Sequence, residues 1–142
     1  MNIDGSVLMF LVAILIVGVL VFIAVSATKK RGTVFNKEEY QIDFKQIENM
    51  LTRENGLSHN AAVVNGDKLL DRALCEMGAP GKNMGERLKK VGKDKFSQLN
   101  AVWYAHKLRN QIAHEHGFSV DYKQARHALD TYRQALKDLG AI

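Results

Sequence analysis

The stretch AVWYAHKLRNQIAHEHG, residues 101–117, carries two patterns on one segment. Val102, Ala105, Leu108 (or Arg109) and Ile112 recur at steps of three and four, which predicts a helix with one face in a core. At about 100° per residue, Trp103, His106, Asn110 and His114 also share a face. Arg109 lies one position off that second stripe, and its long side chain can reach along the helix. The spacing predicts a helix over 97–115, closed by Gly117. His114 falls in its last turn.

An imidazole can move protons. A guanidinium can hold a phosphate through two hydrogen bonds and stabilise charge developing on it. An amide between them can orient either group. Together Arg109, Asn110 and His114 suffice in principle for metal-independent RNA cleavage, in which the 2′-hydroxyl attacks the adjacent phosphate. That reaction wants both a base and an acid. One copy of the motif supplies one candidate, so a two-fold dimer would complete the set. The plainer alternative is structural: Arg109 and Asn110 bridge neighbouring helices, and His114 bonds the carbonyls at its own helix end. His106 reads first as a packed or bridging side chain and Trp103 as core or interface. Both, with Lys107, are also candidates for contacting a substrate, Trp103 by base stacking. His114 and His116 point to different sides of a helix and HExxH is absent, so neither a metal nor another cofactor is expected.

Working outward, the neighbouring segments also read as helices. Residues 37–54 follow an Asn36 cap with Glu39 as its partner, and Phe35 can staple to Tyr40. Tyr40, Phe44, Ile47 and Leu51 form the stripe there, and Asn55-Gly56 is the expected stop. A second helix is expected after a Ser58 cap and reaches about residue 77, lined by Ala62, Leu69, Leu70, Ala73, Leu74 and Met77. Gly66 within it marks a weak point or a close approach of another helix. GAPGKN, residues 78–83, holds the only proline, Pro80. A short helix over 84–92 has Asn83 and Glu86 as its cap pair and Met84, Leu88 and Val91 as its docking side. The last helix, 122–139, has Asp121 with Gln124, a stripe of Ala125, Leu129, Tyr132, Leu136 and Leu139, and Gly140 as its stop. No internal repeat appears. The expected fold is all-α, a four- to five-helix antiparallel bundle over residues 36–142.

Residues 6–27 differ from everything that follows. Residues 7–25 are apolar without interruption, roughly 28 Å of helix against a hydrocarbon core of about 30 Å. A signal peptide would want a basic start and a shorter apolar run. Here MNIDG carries Asp4, and Lys29, Lys30 and Arg31 come directly after the run. A retained single-pass anchor over 1–27 is therefore expected, with 28–35 as a juxtamembrane linker. By the positive-inside rule, the short N-terminus would lie outside and the C-terminal domain in the cytoplasm of a plasma-membrane protein.

All 20 Lys and Arg follow position 28, against 14 acidic residues there, so the part beyond the anchor is basic by +6. Such a balance suits RNA or an anionic leaflet equally. The basic stretch 82–95 includes Lys89 and Lys90, candidate contacts for a phosphate backbone. One cysteine, Cys75, excludes an internal disulfide. Its setting in LLDRALCEM suggests a buried, inert thiol.

RNQIAH, within AVWYAHKLRNQIAHEHGF, resembles the arginine–polar–histidine motif of the HEPN superfamily of all-helical domains. The following A-x-x-A-L-x-x-Y-x-x-A-L spacing is similar to that family too. The resemblance covers roughly residues 36–140. It implies a homodimer and, in many members, metal-independent endoribonuclease activity, with Arg109 and His114 as the catalytic pair and Asn110 in support. Other members only bind, so the alternative is a non-catalytic membrane-tethered adaptor that uses the 103–116 face to pair with itself or with another membrane-tethered protein. The membrane anchor departs from the family's soluble toxins.

Overall fold

Three helix starts in this chain are set by side-chain oxygens that take up N–H groups left free at the first turn. Asn36 Oδ1 accepts from Glu39 N at 3.4 Å, and Asn83 Oδ1 accepts from Glu86 N at 3.0 Å. At Asp121 both halves of a capping box form: Asp121 Oδ1 accepts from Gln124 N at 2.7 Å, and Gln124 Oε1 accepts from Asp121 N at 3.0 Å. These three caps open α2 (Lys37–Asn49), α4 (Met84–Val91) and α6 (Tyr122–Leu139). With α1 (Gly5–Thr28), α3 (Gly56–Glu76) and α5 (Leu99–His114) they make six helices, and no strand occurs among the described residues. The computed structural model describes residues 5–28, 33–51, 56–92 and 94–142.

The chain divides into two units, Met1–Thr33 and Val34–Ile142. The first contains α1. Its span Gly5–Ala24 is long and apolar enough to cross a membrane. Side chains such as Phe10, Leu15 and Phe22 are more than two-thirds exposed, at 67%, 67% and 73%. Apolar surface left in water costs about 25 cal/mol per Å², whereas a helix in lipid satisfies its own backbone groups. This segment points to association with a membrane.

In the second unit α3 is the central element and packs against α2, α4, α5 and α6. Its face of Ala62, Val63, Leu70, Ala73 and Leu74 is sealed. Against it lie Tyr40 and Phe44 from α2, Leu88 from α4, Val102 and Ala105 from α5, and Leu129, Tyr132 and Leu136 from α6. Phe35 stacks edge-on to Tyr40 with centroids 5.6 Å apart, so the staple at the start of α2 is present. Gly66 is a close approach: a Cβ there would lie 2.6 Å from Tyr132 Cδ2. The turn after α6 puts Gly140 at φ 77°, a left-handed stop.

Three boundaries differ from those the sequence suggests. α2 ends at Asn49 because its last turn tightens, with Leu51 N donating to Glu48 O at 3.0 Å. Asn55, the expected stop, lies outside the described residues, as do Lys29 to Arg31 and Lys93. α3 begins at Gly56, so Ser58 sits inside its first turn instead of capping it. α5 begins at Leu99, later than 97, because Ser97 N and Oγ both donate to Asp138 Oδ2 at 2.7 Å. Cys75 also corrects the expectation of a buried thiol. It is exposed, because it follows Leu74 and so turns about 100° off the stripe that faces the core.

Candidate functional site

The site is built around a carboxylate on a core-facing stripe. Along α3, Val63, Asp67 and Leu70 follow at steps of four and three, and Asp67 is only 3% exposed. An isolated buried carboxylate is strongly unfavourable, so it must be paired and hydrogen-bonded. Asp67 Oδ1 takes two hydrogen bonds, from His106 Nδ1 at 2.8 Å and from the Tyr132 hydroxyl at 3.3 Å. Arg109 Nε stands 3.6 Å from Asp67 Oδ2, an ion-pair distance beyond hydrogen-bond reach. Burial, reinforced by the Asp67 charge, pushes the Tyr132 phenol well above its ordinary range.

From Asp67 the network runs outward along α5. His106 Nε2 lies 3.3 Å from Asn110 Nδ2, and Arg109 Nη1 donates to Asn110 Oδ1 at 3.0 Å. The i, i+4 spacing of His106 and Asn110 puts them one above the other on the helix. Exposure increases along this path. His106 is buried, Arg109 and Asn110 are half-buried, and His114 is exposed at the last position of α5.

Arg109, Asn110 and His114 line one cleft of about 490 Å³, whose floor includes Asp67 and His106. Lys68 and Asp71 come to it from α3, and Lys82, Asn83 and Met84 from the loop before α4 and its first residue. Asp71 is tied to Arg87 at 2.8 Å, which offsets that acid. Lys68 and Lys82 are both exposed. The site thus offers cations and an imidazole around a polar hollow, with its buried acid already engaged.

The other sequence candidates are placed differently. Trp103 is half-buried and meets the His106 ring edge-on with centroids 6.0 Å apart, outside the cleft lining. Lys107, Lys89 and Lys90 are exposed and are also outside it. His106 is a packed, bridging side chain. Sequence reasoning missed Asp67, Lys68 and Lys82. For Asp67 a signal was available, namely a charged residue in register with the apolar stripe of its helix. For Lys82 there was none beyond its place in a basic stretch.

A second hollow of about 490 Å³ lies along α2 and α3, lined by Ile47, Met50, Leu69 and Arg72 among others. Arg72 is already paired with Asp43 at 2.9 Å, and it also lies near Glu39 and Glu76. That hollow contains no histidine. Among the described residues no three metal-ligating side chains converge. No family model, curated protein or solved structure matched this chain.

Proposed function

We propose that the cleft binds RNA and that the protein is a membrane-anchored, HEPN-like, metal-independent endoribonuclease working as a homodimer. The observation that carries this reading is the convergence of Arg109, Asn110 and His114 on one open cleft edged by Lys68 and Lys82. In the reaction, the RNA 2′-hydroxyl attacks the neighbouring phosphorus. His114 accepts its proton as general base. The same residue of a second copy protonates the departing 5′-oxygen. Arg109 holds the non-bridging oxygens as charge builds on them. The products are a 2′,3′-cyclic phosphate and a 5′-hydroxyl end. The resemblance in RNQIAH and the basic balance beyond position 28 support the same reading. The basic residues that follow α1 in sequence favour a cytoplasmic domain.

The test is cleavage of mixed RNA by the purified chain in the presence of a chelator. The parent protein is expected to generate 2′,3′-cyclic phosphate ends. His114→Ala should abolish them, a loss of at least about 100-fold if the imidazole is the acid–base group, while the melting temperature and dimer stay unchanged. RNA affinity should fall as salt rises, because phosphate contacts release counterions. A parent chain that leaves RNA intact and unbound at low salt would remove this reading. A non-catalytic adaptor face would then be the better account of the same cleft.

A further inference from the structure

The hydrogen bonds around Arg109 have a direction that the residue types impose. A guanidinium only donates. Asn110 must therefore present its carbonyl oxygen to Arg109 Nη1, as it does at 3.0 Å. That leaves the Asn110 amide nitrogen facing His106 Nε2 at 3.3 Å. An amide N–H needs a lone pair there, so Nε2 must be bare. The ring proton then sits on Nδ1 and is donated to Asp67 Oδ1 at 2.8 Å. Tyr132 donates to the same oxygen, and Asp67 Oδ2 is left toward Arg109 Nε. Trp103 meets the ring edge-on, and a Cβ added at Gly85 of α4 would lie 3.5 Å from Nε2; neither residue brings a charge.

We infer that Asp67 and His106 are positioning residues of the site. Through Asn110 they hold the Arg109 guanidinium at the cleft, with the His106 proton fixed on Nδ1. This rests on the reading of the cleft given above. Neither residue touches substrate in this account. Asp67 acts on Arg109 from two directions: by charge from Oδ2, and by fixing the tautomer that orients the Asn110 amide. A guanidinium held by the Asp67 charge near Nε and by a hydrogen bond at Nη1 leaves the rest of its fork for a phosphodiester, the ligand chemistry this geometry selects. A buried polar network of this kind holds its members in one arrangement.

The test uses the full chain in detergent micelles with ¹⁵N-labelled histidine and arginine. In the parent protein the His106 ring should show a protonated Nδ1 and a bare Nε2. In Asn110→Asp the new carboxylate can only accept, from Arg109 and from His106 alike. The ring should then carry a proton on both nitrogens, a spectroscopic change that a purely packing role would not produce. Asp67→Asn places an amide nitrogen or a neutral oxygen beside Arg109. It should weaken binding of a fluorescein-labelled oligouridylate by about tenfold and broaden the Arg109 side-chain signals. A parental His106 protonated on Nε2, or an Asn110→Asp ring with Nε2 still bare, would overturn the inference. If the parent chain binds no RNA, the ribonuclease reading fails by itself, and the ring signals still decide whether Asp67 and His106 set Arg109.

Discussion

At the scale of single residues, Gly66 and Tyr132 determine whether the buried network can exist. Tyr132 is fully buried and reaches Asp67 because α3 has no side chain at position 66. Gly66→Ala sets two effects against each other. Alanine favours a helix interior by roughly 0.5–1 kcal/mol. Forcing a methyl group to within 2.6 Å of a ring carbon overpacks a closed core, which costs about 1–3 kcal/mol. The clash should win, and thermal unfolding should show a loss of roughly 1–2 kcal/mol. A neutral or stabilised variant would mean that α6 does not lie this close. Tyr132 also gives a pH dependence. Its phenol is raised by burial and by Asp67, and Tyr40 is pushed up to about 12, again mainly by burial. A group raised in the folded state contributes stability that is complete below its unfolded value, about 10 for tyrosine, and is lost as pH climbs through the folded one. Chemical denaturation should therefore show stability falling above pH about 10. Tyr132→Phe should start lower, by about 1 kcal/mol for the lost hydrogen bond, and fall less steeply. A parallel decline in both proteins would exclude Tyr132 as a contributor.

At the scale of elements, the legible and the illegible parts separate by distance along the chain. The caps at Asn36, Asn83 and Asp121 were readable because each is a contact between residues three apart, written in adjacent letters. The Phe35–Tyr40 staple and the glycine stop at 140 are local in the same way. The shared helix face of Asn110 and His114, with Arg109 one position off it, was likewise available from the helical period. The Asp67–His106 bond joins positions 39 apart, and the Asp67–Tyr132 bond joins positions 65 apart. No helical period contains either. The late start of α5 has the same cause, since Ser97 is claimed by Asp138 from 41 positions away. That acid is partly buried, which would raise its pKa, yet the Ser97 donors and Gln134 hold it below the usual carboxylate range. The local elements yield their own prediction. Asp121→Ala removes the capping-box acceptor of α6 and should cost about 1 kcal/mol, read as a lower denaturation midpoint with an unchanged slope. An unchanged midpoint would show that packing alone sets where α6 begins.

At the scale of the whole molecule, an apolar helix and a basic domain whose described elements are all helices share one chain. The helix was the easiest feature to read, since nothing but length and apolarity defines it. If α1 crosses a bilayer, the protein should stay with membranes through alkaline carbonate extraction, and a chain lacking residues 1–33 should appear in the supernatant. Release of the full chain by carbonate would mean that α1 lies elsewhere than across the lipid. The shortened chain should keep its helical signal, because the hydrophobic core cluster lies entirely within Val34–Ile142.

Cys75 offers a practical route into these questions. It is the sole thiol of the chain, it is exposed on α3, and Arg87 Nη2 approaches its sulfur at 3.9 Å from α4. A maleimide dye or nitroxide can thus be attached without first removing any other cysteine. The reporter would stand beside the Asp71–Arg87 link that flanks the cleft. Its fluorescence or line shape would give a titration curve for oligonucleotides in unaltered protein, independent of whether any strand is cut.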